Sequence, residues 1–305
     1  MAVIQVEQIN KAFGKNNAVN DVTFNVEQGR IFGLLGPNGA GKTTTIRMIN
    51  NILTPDSGTI TINGQIASAA TQKMIGYMPE ERGLYKKMKV GEQLLYFSEL
   101  KGMKTKEAKE AINYWLDRFG ASDWYKKEVG ELSKGMSQKI QFIATVAHDP
   151  DIYIFDEPFS GLDPINSETL KEIIIELKGK GKTILFSTHR MEQVEQMCDD
   201  ICLFNNGKAV LQGKLREIKA SFGQNTINLE FEGDGSFLDK LTEVRINNRS
   251  TNFAEIRVLN GQSMQDILKL AMAHAEIHKF ERIEPSLQEI FISTVGEDNL
   301  KSQEV

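Results

Sequence analysis

From residue 1 to about 215, short unbroken apolar runs alternate with stretches in which apolar residues recur every three to four positions. The runs at 31–35, 152–155 and 184–186 carry no polar face, the pattern of strands buried on both sides of a parallel sheet. Helical spacing governs 44–49, 90–101, 105–119 and the stretch that places Ile140, Ile143, Ala144 and Ala147 on one stripe. Beyond residue 215 the rhythm changes. Segments 225–231, 243–247 and 254–259 alternate apolar with polar residues, as half-exposed antiparallel strands do. From Ser263, a candidate N-cap, to about Phe280, the residues Met264, Ile267, Leu268 and Ala271 return to helical spacing. The pattern predicts an α/β domain over 1–215, with a helical subdomain at about 85–150, followed by a small α+β module over 216–305. The segment 222–225, Phe-Gly-Gln-Asn, is the expected hinge.

Composition narrows the reading. A chain of 305 residues has room for one large domain and a smaller one. Its net charge of -5 lacks the basic footprint of a nucleic-acid binder, so no nucleic-acid partner is expected. Cys198 and Cys202 are the only cysteines, which suits a reducing compartment. Four apart, they admit a shared helix face, but no Cys or His pair stands near to complete a metal site, and ordinary packing is expected. His274 and His278 have the same spacing, without the HExxH order or a third ligand, and carry no expected chemistry. No stretch approaches the ~20 apolar residues of a membrane helix, so a soluble, cytosolic protein is expected.

The strongest chemical signal follows the run at 31–35. Gly36, Pro37, Asn38, Gly39, Ala40, Gly41, Lys42, Thr43 and Thr44 fit the pattern of Gly, any four residues, Gly, Lys, then Ser or Thr. A strand before it and a helix after it supply the required context. Glycines let backbone N–H groups converge on a phosphate, and the helix N-terminus adds partial positive charge. Lys42 would then neutralise the β- and γ-phosphates of a nucleotide, and the Thr43 hydroxyl would ligate Mg²⁺. Kinases, GTPases and ATPases all remain open on this loop alone. The run at 152–155 ends in Asp156 and Glu157, and ligands bind beyond the carboxyl ends of parallel strands. Asp156 suits Mg²⁺, and Glu157 suits polarising an attacking water.

With these motifs in place the chain resembles the ATP-binding subunit of an ABC transporter, with a P-loop NTPase core, and further motifs follow in that family's order. Leu132, Ser133, Lys134, Gly135 and Met136 stand where the signature Leu-Ser-Gly-Gly-Gln belongs. Ser133 reads either as a plain N-cap or as an anion site in which its hydroxyl and the Gly135 amide face a γ-phosphate. The resemblance implies that this phosphate belongs to ATP on a partner subunit, in a homodimer or with a paired ATPase subunit. It makes 160–163 the loop that runs along the dimer interface and His189 a switch histidine contacting the γ-phosphate. It also makes Phe13 an adenine-stacking ring, although one aromatic beside a strand is as often core. Glu80 occupies the place of the family's glutamine, where a carboxylate can still ligate Mg²⁺ or orient water. Lys134 and Met136 depart from the signature. The resemblance further implies that the helical subdomain receives an integral membrane permease, placing the protein peripherally on the inner face of the membrane. The C-terminal region, including 283–291, is similar to the accessory region of ABC-2 type exporter ATPases, including the sodium-extrusion type. Two other readings stand beside this: a soluble ABC-type ATPase, and a nucleotide-dependent regulator that barely hydrolyses ATP.

Overall fold

The computed structural model describes residues 1–81, 83–222, 226–259 and 263–301. They fall into two compact units, Met1–Leu215 and Arg216–Val305. Of the expected hinge, residues 223–225 lie outside the described residues.

In chain order the first unit contains β1 (Ala2–Phe13), β2 (Asn16–Glu27), β3 (Ile31–Leu35), α1 (Lys42–Ile49), β4 (Ser57–Ile62), β5 (Gln65–Ile66) and β6 (Ile75–Met78). It continues with α2 (Val90–Leu100), α3 (Thr105–Arg118), α4 (Lys134–Val146), β7 (Ile152–Asp156), α5 (Pro164–Gly179), β8 (Thr183–Thr188), α6 (Met191–Met197), β9 (Asp200–Asn205) and β10 (Lys208–Lys214). The strand order β10-β9-β3-β8-β7-β6 forms one sheet, parallel from β9 to β6, with β10 antiparallel at its edge. Every residue of β3, β7 and β8 is buried, which explains why these strands read as unbroken apolar runs: a parallel strand covered on both faces has no wet side. A second, antiparallel sheet has the order β2-β1-β4-β5, and its Phe24 stacks on Phe32 of β3 with ring centroids 5.2 Å apart.

Because the strands run parallel, the carboxyl ends of β3, β8, β7 and β6 share one edge of the sheet. The segments that follow those ends carry the residues of interest. The helical segment is tied to the sheet through rings: Phe119 contacts Phe142 of α4 at 5.7 Å, and Phe142 stacks on Phe155 of β7 at 5.2 Å. At ~1.5–3 kcal/mol per large apolar side chain withdrawn from water, this ladder fixes α4 against the strand that ends in Asp156. Cys198 and Cys202 do not share a helix face. Cys198 ends α6 and Cys202 lies in β9, both buried and both free thiols, so their role is packing.

After α7 (Leu215–Ser221), the second unit holds β11 (Thr226–Gly233), β12 (Val244–Arg249), β13 (Phe253–Val258), α8 (Met264–Met272), β14 (Ala275–Ile283) and α9 (Leu287–Lys301). The strands form an antiparallel sheet in the order β12-β13-β11-β14. Ile267 and Ala271 of α8 join its core of Ile227, Leu229, Phe231 and Ile256. Ser263 caps α8 by accepting from the Gln265 amide. The helix expected to reach Phe280 ends at Met272, and the remainder is β14. The reason is a bulge. Opposite β11, Glu230 pairs with Lys279 but Phe231 pairs with Ile277, leaving His278 as the extra residue. Ile277 and Phe280 can therefore both pack on the core although three apart, a spacing that imitates a helix. His274 and His278 consequently sit on different elements. His274 meets Leu270 O and Lys240 Nζ, and His278 lies 3.4 Å from Glu232.

Candidate nucleotide site

The loop between β3 and α1 is shaped by glycines. Gly36 and Gly41 have φ of 142° and 105°, and a Cβ on them would lie 2.3 Å from Phe204 O and 2.4 Å from Ala18 O. Both positions thus exclude any side chain, for conformation and for space together. Gly41→Ala is expected to lower unfolding stability by about 1–3 kcal/mol, seen as a lower denaturant midpoint; an unchanged midpoint would remove the loop's steric constraint.

Lys42 is 5% exposed and folds back on its own loop, donating to Gly36 O at 2.7 Å and Pro37 O at 3.0 Å. Burial pushes its pKa down, while Glu157, Asp156 and Glu80 pull it up, so one ammonium faces three carboxylates. Thr43 Oγ1 donates to Asp156 Oδ1 at 3.2 Å. The Ser187 hydroxyl of the neighbouring β8 donates to the same oxygen. Asp156 Oδ2 is buried with no hydrogen-bond partner among the described residues. Burial raises the Asp156 pKa against these two hydrogen bonds.

Glu157 follows with φ of 50°, left-handed for a non-glycine residue, at a typical cost of ~1–2 kcal/mol. The turn is held by its amide, which donates to Ser187 O at 3.2 Å and to Ser187 Oγ at 3.1 Å. This twist re-aims a side chain that is only one residue beyond the buried strand. His189 Nδ1 lies 2.9 Å from Glu157 Oε1. Glu80, two residues beyond β6, has its pKa raised by partial burial and then by the charges of Asp156 and Glu157.

Loop, acids and His189 therefore converge. Ser133 does not join them by hydrogen bonding: among the described residues its hydroxyl makes no hydrogen bond to the loop at 36–44. Ser133 caps α4, its hydroxyl accepting from the Met136 amide at 3.2 Å. Gly135 is partly buried, and a Cβ on it would meet Gly161 O at 3.9 Å, an ordinary contact. Asp163 in that neighbouring loop caps α5 by accepting from the Asn166 amide, with Pro164 in the first turn. Phe13 is 50% exposed, so it is no core ring, and Lys11 Nζ lies 5.9 Å from its centroid. It stands on the hairpin whose second strand brings Ala18 O toward Gly41.

The sequence reading missed Ser187, Gln138 and Gln141. Ser187 was visible as a small polar residue closing an apolar run. The glutamines were visible as polar positions three apart on a helix otherwise noted for its apolar stripe. Beside Glu80 lies a cleft of about 220 Å³ lined by Tyr77, Leu84, Phe97, Leu100 and Lys101 among others. No helix of the described residues is long and apolar enough to cross a membrane.

Residues 19–160 match the family described as ABC transporter. Residues 213–295 match the C-terminal domain described as ATP-binding protein DrrA1-3-like. The chain is 45% identical over 294 residues to the uncharacterized ABC transporter ATP-binding protein YhaQ of Bacillus subtilis (strain 168), covering 96% of this chain and 99% of that protein. It is 32% identical to Nod factor export ATP-binding protein I of Rhizobium sp. (strain N33), covering 97% of each. A solved ATP-binding subunit of an ABC transporter superposes with a TM-score of 0.68 at 33% identity, covering 72% of this chain and 93% of that one.

Proposed function

The chain belongs to the ATP-binding subunits of ABC transporters, which hydrolyse ATP to power transport, and from that premise we propose that it closes on a second ATPase subunit around MgATP and drives a separate membrane permease as an exporter. The observation that carries the closing step is how the groups are bonded within one chain. Lys42, Thr43, Asp156 and Glu157 converge at the strand ends, while Ser133 is exposed at the N-cap of α4 and, among the described residues, makes no hydrogen bond to those four. A head-to-tail pair of subunits, whether two copies of this chain or this chain and a related one, brings such an end onto the partner's nucleotide.

In each composite site the loop amides and Lys42 bind the β- and γ-phosphates, and Phe13 stacks on adenine. Glu157 takes the proton of the attacking water, held in place by its contact with His189, which reaches toward the γ-phosphate. The buried, unpartnered Asp156 Oδ2 beside Thr43 fits a hard cation. Thr43 and Asp156, with Glu80 close by, would hold Mg²⁺, which supplies charge neutralisation at the phosphates. The cleft beside Glu80 and the exposed Tyr85 and Tyr96 offer apolar surface for a permease segment. Docking there would place the ATPase on the inner face of the membrane. Export is supported by the full-length likeness to the Nod factor export subunit. Likeness to transporter subunits along the whole chain favours this reading over a soluble ATPase or a regulator.

Ser133→Arg tests the arrangement, because it puts bulk and misplaced charge where the partner's phosphate would sit and leaves the chain's own phosphate loop untouched. Alone it is expected to bind ATP nearly normally and to lose dimerisation and turnover. Mixed with a Lys42→Ala chain, one composite site loses both groups and the other keeps both, so ATPase activity should return. Heterodimers that form, hold ATP in the intact composite site and still give no activity would rule out action in trans with independent sites.

A further inference from the structure

Two side chains that the reaction as described does not use reach from α4 into both acidic segments. Gln138 and Gln141 are each 4% exposed, three residues apart and thus on one face of the helix. Gln138 Nε2 donates to Pro158 O at 3.0 Å, and Gln141 Nε2 donates to Pro79 O at 2.6 Å. Pro158 directly follows Glu157, and Pro79 directly precedes Glu80. Thr145 extends the same polar stripe, its hydroxyl 3.5 Å from Tyr77 O.

We propose that Gln138 and Gln141 are positioning residues for ATP hydrolysis: Gln138 fixes the segment that aims Glu157, and Gln141 fixes the segment that aims Glu80. The inference rests on Glu157 being the general base. The backbone around Glu157 is in a left-handed turn that persists only if its neighbours over-determine it. Ser187 holds the amide on one side of that residue. The carbonyl of the next residue lies outside the β-ladder, and the Gln138 amide is the group that satisfies it. An apolar side chain of equal length would fill the space and leave a buried carbonyl unpaired, which releases the turn rather than the fold. Pro79 O, partly buried, accepts from the Gln141 amide one residue before Glu80. The same helix carries Ser133 at its N-cap, so one rigid element sets both acid segments and the anion-facing end together.

The test is a double-mutant cycle on steady-state ATPase rates with MgATP. Gln138→Met is expected to lower kcat about tenfold with KM and nucleotide affinity within about twofold, because the phosphate loop is untouched. In a Glu157→Gln background the same substitution should change the residual rate by less than about twofold, since the group it positions is gone. Gln138→Glu, equal in size but without the amide donor, should lose at least as much in the native background, which guards against a Met variant that folds poorly. Equal fold-losses in both backgrounds, or no loss in the native one, would overturn the positioning role alone. A Glu157→Gln chain that turns over at the native rate would overturn the base assignment and the positioning role with it.

Discussion

Lys42→Ala is expected to weaken ATP binding and to remove turnover. The wild-type ammonium is buried, held by two carbonyls of its own loop, and poised against Glu157, Asp156 and Glu80. Its removal leaves three carboxylates facing an incoming polyphosphate with no compensating cation in the loop. A hydrogen bond to a charged group contributes about 1.5–3 kcal/mol, so affinity should fall by about 10- to 100-fold. Loss of a donor aimed at charge that develops in the transition state typically costs about 10²–10³ in kcat, so hydrolysis should fall at least that far. Nucleotide titration and phosphate release measure the two effects separately. Native affinity together with native rate in the variant would show that this loop does not hold the phosphates.

Glu157→Gln should leave ATP binding intact and cost about 10²–10⁴ in hydrolysis, the range for a positioned general base. The substitution changes charge and proton affinity but little else. Gln has the same length, the backbone amide still reaches Ser187, and a side-chain oxygen can still face His189 Nδ1. Folding should be unaffected, and the effect belongs to the chemistry. With product formation blocked, ATP should hold two subunits together, which sedimentation with and without ATP would reveal. Turnover at the native rate would move the base elsewhere, and His189, exposed at the end of β8, is the next residue to test.

The phosphate loop, the acid pair and the cap at Ser133 were legible because each depends on residues adjacent in the chain. Gly36 and Gly41 need left-handed or sterically empty positions, and Lys42 acts six residues from the carbonyl it meets. The buried strands were legible for a related reason, since a parallel strand covered on both faces must be apolar throughout. The sequence alone therefore determined the glycine-rich loop, the acid pair that ends β7 and the α/β class. Tertiary structure decided what lies beside what. The order β3-β8-β7-β6 comes from pairing between segments up to 153 residues apart, as in Ile31 with Ile184, and no local pattern encodes it. That order is what sets Ser187 against Asp156 and His189 against Glu157. The link from Gln138 and Gln141 to Pro158 and Pro79 likewise exists only once α4 lies across β7 and β6. In the second unit, pairing overrode local spacing outright. A bulge at His278 let Ile277 and Phe280 share one face, so a strand carried the period of a helix until β11 fixed its register.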